Sequence, residues 1–100
     1  MMRMSEMILK QVRLDPEVLS DKESMALYMK RELDLPEWFG GNLDALADVL
    51  SEISVETAFV VEAGALPAFY AEGRPKMVLK VISRAVQENP HLHLYIKGLR

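Results

Sequence analysis

Cysteine is absent, which excludes a disulfide framework, a thiolate zinc site and a cysteine nucleophile. Histidine is scarce: His91 and His93 are the whole supply. Long apolar runs are missing too, since none approaches the roughly 18 residues that a membrane span requires. The opening Met1-Met2-Arg3-Met4-Ser5-Glu6 lacks the apolar centre of a signal peptide, because Glu6 and Lys10 interrupt it. A phosphate-cradling glycine loop is also lacking, because Gly40-Gly41 is only a pair with no lysine beside it. What remains is 100 residues, half of them apolar and 27% charged, which predicts one soluble cytoplasmic domain over residues 1–100 with 1–6 as a loose leading segment. Methionines at three of the first four positions leave the true start open.

The most informative absence is local. Residues 32–73 contain no Lys or Arg, yet hold nine acids: Glu32, Asp34, Glu37, Asp44, Asp48, Glu52, Glu56, Glu62 and Glu72. Residues 74–100 are the reverse, with six basic side chains against Glu88 alone. A solvated run balanced by that basic third would account for the pattern without any function. An acidic surface for a cationic protein would account for it as well, by raising the encounter rate. Either way the middle segment repels nucleic acid, so direct contact with a polynucleotide is not expected.

Hydrophobic spacing orders the elements. Met7–Val12 reads as a strand ended by Asp15-Pro16. Ser20-Asp21-Lys22-Glu23 has the form of a capping box and predicts a helix from Asp21 to Leu33. Leu35–Gly41 is a loop, redirected by its two glycines. Asn42 caps a second helix whose apolar stripe is Leu43, Leu46, Ala47 and Leu50. Thr57–Glu62 is nearly continuous in apolar character, as in a strand covered on both faces. Gly64–Gly73 fits one or two helical turns. Pro75 opens a last helix lined by Met77, Val78, Val81, Ile82, Ala85 and Val86, Asn89-Pro90 ends it, and His91–Ile96 alternates as a final strand. Strands separated by helical crossovers predict an α/β fold, a three-stranded parallel sheet packed by about four helices.

Catalytic constellations are thin. His91 and His93 share one strand face, but no neighbouring ligand completes a metal shell, and they read as ordinary strand residues. Asp44 and Asp48 stack at i, i+4 and could serve acid–base or cation chemistry, yet a lone helix offers no further ligands. The chain is expected to be no enzyme and to need no cofactor and no metal. The residual signal lies between Leu35 and Leu50. Trp38 and Phe39 stand at a loop tip before the acidic helix; Phe39 reads as a core staple and Trp38, the only tryptophan, as an exposed anchor.

The run Leu33-Asp34-Leu35-Pro36-Glu37-Trp38-Phe39-Gly40-Gly41-Asn42-Leu43-Asp44-Ala45-Leu46-Ala47-Asp48-Val49-Leu50 closely resembles the central signature of the barstar family, intracellular inhibitors of the ribonuclease barnase. The order of flanking elements fits over about residues 7–97, strongly in the signature and weakly outside it. The resemblance implies a small α/β antitoxin or immunity protein, as known from bacteria, that plugs a basic ribonuclease in a 1:1 complex. It implies partner contacts from Trp38, Phe39, Gly40, Asn42, Asp44 and Asp48, the two aspartates standing in for RNA phosphates among cationic side chains. Departures from the family pattern are Ala47, where the family has tryptophan, Arg84, where it has glutamate, and Glu52-Ile53, where it has glycine and tryptophan. Glu52 could supply a further carboxylate. Glu56 reads as a peripheral acid of the same surface. The alternative is a barstar-fold interaction module that binds a basic protein other than a nuclease.

Overall fold

The computed structural model describes residues 8–98. In chain order these form β1 (Lys10–Arg13), α1 (Pro16–Leu19), α2 (Lys22–Leu33), α3 (Leu43–Ser51), β2 (Thr57–Glu62), a 3-10 turn (Ala63–Ala65), α4 (Leu66–Tyr70), α5 (Arg74–Glu88) and β3 (Leu92–Lys97). The sheet order is β1-β2-β3, with both pairings parallel and Thr57 opposite both Lys10 and Leu92. The α/β architecture is therefore the three-stranded parallel sheet that the sequence predicts. No helix among the described residues is long and apolar enough to cross a membrane.

Several local readings need correction. β1 is shorter and later than Met7–Val12; Met7 and the leading segment 1–6 lie outside the described residues. α1 went unread, although its signal is plain: the Asp15 side chain accepts from the Glu17 amide at 2.9 Å and Pro16 fills the first turn. Because α1 ends at Leu19 with Ser20 as its C-cap, the cap of α2 is Asp21, which accepts from Ser24 N at 2.8 Å. That hydrogen bond holds the Asp21 carboxyl below its ordinary range.

The expected two-sided cover of the sheet is also overturned. Thr57, Phe59 and Val61 point into the core with Val12 and Leu92, against Met25, Met29, Leu46, Leu50, Val78 and Ile82 of the helices. The other face carries Gln11, Arg13, Val60, Glu62, Tyr95 and Lys97, none of them fully buried. The small Ala58 and the half-buried Val60 made β2 look apolar throughout, while its neighbours supply the polar half of that face. On α5 the buried face is Pro75, Val78, Ile82 and Ala85, and Met77 is exposed.

Candidate functional site

The loop before α3 is built from opposed side chains. α2 ends at Asp34 in left-handed backbone (φ 55), and the Pro36 carbonyl then accepts from the Phe39 amide at 3.0 Å. This turn sends the two aromatics apart: Trp38 is 66% exposed and Phe39 only 1%. Phe39 is thus removed from the set of partner contacts, because a ring with no accessible surface anchors the loop from below. Of the two glycines only Gly41 has positive φ (92), and a Cβ there would stand 2.7 Å from the Lys22 carbonyl oxygen. Gly40 is exposed, with open space where its Cβ would be.

Asn42 then starts α3, its Oδ1 accepting from Asp44 N at 2.7 Å and Ala45 N at 3.1 Å. Two of the four otherwise free amides of the helix end are satisfied by one side chain. Leu46, Val49 and Leu50 are buried and Leu43 half-buried, whereas Ala47, expected in the apolar stripe, is exposed. At 3.6 residues per turn, positions 44, 48 and 52 drift by about 40° each. Asp44, Asp48 and Glu52 therefore form one row, all three exposed. Among the described residues none of the three makes an ion pair. Two like-charged neighbours cost the helix about 0.2–0.5 kcal/mol each. Asp44 sits in the first turn, where the helix dipole returns about 0.3–1 kcal/mol, so the row is tolerated.

Grooves flank the row. One, of about 440 Å³, runs between α3 and α5 and is lined by Leu43, Asp44, Ala47, Val81 and Arg84. The other, of about 370 Å³, is lined by Leu35, Pro36, Trp38, Val49 and Glu52. Trp38 and Glu52 border the same cleft, so the indole and the acidic row share one surface of the molecule.

The resemblance marked Arg84 as a reversed charge in the last helix, and the fold shows how near α5 comes to the acidic row. The charge gap is linear, not spatial: Arg84 lines the groove that Asp44 lines, while pairing with Glu88 at 3.5 Å. Asn89, read only as a helix end, is buried and donates to the Leu50 and Ile53 carbonyls at 2.9 and 3.0 Å, closing the C-terminal end of α3. The side-chain amide donates to no group of its own helix, and only three-dimensional packing supplies its partners.

Glu56 is not part of the acidic surface. Its carboxylate lies between His91 Nδ1 at 2.7 Å and His93 Nε2 at 2.8 Å, with the side chain 14% exposed. The His93 hydrogen bond, followed by that of His91, holds the Glu56 carboxyl below its ordinary range. The histidines do therefore have a nearby carboxylate. Yet no group of three His, Cys, Asp or Glu among the described residues is arranged to hold a metal ion.

The chain is a small three-stranded parallel α/β domain that displays an acidic helix and an exposed tryptophan. The family model described as Barstar (barnase inhibitor) matches residues 9–93, and the chain belongs to the barstar family. No curated protein matches it.

Proposed function

We propose that the chain is a non-catalytic inhibitor of a ribonuclease, and that the surface formed by Trp38 and the Asp44, Asp48, Glu52 row blocks the enzyme's cationic cleft. The observation that supports this most is the exposed row of carboxylates, without ion pairs among the described residues, beside the only tryptophan. A cleft that cleaves RNA must hold phosphates, so it presents Arg and Lys side chains. Carboxylates at phosphate positions form charge-assisted hydrogen bonds with them, and an indole stacks where a base or an imidazole lies. Gly40 and Asn42 contribute exposed loop surface next to Trp38. The complex is 1:1, with an interface of about 1,600 Å². As an antitoxin or immunity protein of a bacterial cell, the chain would act in the cytoplasm.

The test is titration of RNA cleavage, by barnase and by any basic ribonuclease encoded beside this gene. Asp48→Ala should raise the inhibitory concentration by roughly thirtyfold or more, the scale of a truncated central charge in interfaces of which the barnase–barstar pair is itself a standard example. Glu17→Ala, a change at an exposed acid on α1, should leave it unchanged; equal small effects of the two would defeat the proposal. Glu56 does not serve as the control, because its carboxylate is engaged by His91 and His93.

Arg84 and Ala47 favour a second reading, a barstar-fold module for a basic protein that is no nuclease, since both depart from the family pattern on the groove between α3 and α5. Saturating chain would then leave RNA cleavage untouched while still forming a salt-sensitive complex with a basic protein.

A further inference from the structure

Arg74 is the first residue of α5 and the first cation after the stretch without Lys or Arg. Its side chain does not extend into solvent as a surface charge. Nη2 donates to the Gly41 carbonyl at 2.8 Å and lies 3.7 Å from Met25 Sδ. Nε is buried with no hydrogen-bond partner among the described residues.

This placement is unfavourable when taken locally. A cation at the first position of a helix opposes the macrodipole, and a buried N–H without a partner loses its hydration. The compensating contact is the charge-assisted hydrogen bond to Gly41, stronger than one between neutral groups. Gly41 is the residue whose backbone leaves no room for a Cβ against the Lys22 carbonyl. The loop is therefore seated against α2 and also bonded to α5. Trp38 lies three positions upstream of Gly41, Asn42 follows it directly, and Asp44 lies three positions downstream.

We propose that Arg74 is a positioning residue, whose bond to the Gly41 carbonyl fixes the Trp38 loop relative to the acidic row of α3 before any partner arrives. The consequence for binding rests on the inhibitor reading. A loop already ordered in the free protein avoids the entropy of ordering it on association, so affinity rises without a new contact.

The experiment compares Arg74→Met, which removes the donor and keeps the stem, with Arg74→Lys, which keeps a charged donor. In the full chain, hydrogen exchange is followed at the amides of residues 38–45 and of β2, together with the anisotropy of Trp38 emission. Losing a hydrogen bond from a charged group should speed loop exchange by roughly tenfold or more in Arg74→Met. Trp38 anisotropy should fall, β2 amides should keep their protection, and Arg74→Lys should restore most of both loop signals. Unchanged loop exchange overturns the proposal. So does an even rise across loop and β2, which marks an ordinary stability residue, or a lysine variant no better than methionine. Inhibition of barnase separates the two claims. If Arg74→Met inhibits as wild type does while Asp48→Ala is impaired, the positioning role fails and the inhibitor reading stands. If the loop loosens as expected but wild type never inhibits, the inhibitor reading fails and the positioning role stands.

Discussion

Gly40 and Gly41 look interchangeable in the sequence and are opposites in the fold. A methyl group at Gly40 meets nothing, whereas at Gly41 it meets backbone that cannot move aside. Gly41→Ala should therefore lose about 1–3 kcal/mol of stability through positive-φ strain and the clash, while Gly40→Ala should stay within about 0.5 kcal/mol of wild type. Urea denaturation midpoints with unchanged slopes would check both. The aromatic pair next to them shows what sequence can convey at this scale. Their place at a loop tip before a helix marked Trp38 as an exposed anchor and Phe39 as a core staple. Which ring faces outward is decided by the Pro36–Phe39 turn, and the family signature alone had drawn Phe39 into the partner-contact set.

Among elements, β2 and α5 were legible because their apolar spacing is long and regular, and Thr57–Glu62 needed no revision. α1 was not, because four residues carry no period, and its cap and proline had been read as the end of a strand. The one-sided sheet was illegible from β2 alone. Its outer face is polar through β1 and β3, whose pairing exists only after folding. Glu56 belongs to the same group of long-range effects: it precedes β2 and meets histidines on either side of the start of β3. Its carboxyl is held below the ordinary value of 4.5, so its contribution to stability is present above that pH and is lost as pH falls through the lower folded value. Glu56→Gln should therefore be less stable than wild type at neutral pH, with the gap closing on acidification below about pH 4.5. Thermal melts of both proteins across pH 3–7 would reveal it, and a gap independent of pH would refute the assignment.

For the whole molecule the charge arrangement governs how a partner arrives. The exposed acids of α3 face away from the core, and the nearest arginines of α5 are partly engaged, Arg74 with Gly41 and Arg84 with Glu88. If the partner is a basic ribonuclease, its association should be steered, slowing by roughly tenfold or more as salt shortens the screening length from about 10 Å at 0.1 M to about 3 Å at 1 M. Stopped-flow mixing that follows Trp38 emission gives that rate directly, and a rate indifferent to salt would argue against steering. The linear charge gap is what raises this expectation from the sequence. It did not announce that α5 closes in beside it, since a helix thirty residues downstream becomes a neighbour only through the crossover between β2 and β3.

The uncovered side of the sheet lies on the layer opposite the helices, so cargo attached there would hang clear of the acidic helix. With no native thiol to compete, a cysteine installed at Arg13 or Tyr95 would give a single attachment point for a dye, a bead or a surface, and the immobilised protein would present its acidic helix outward.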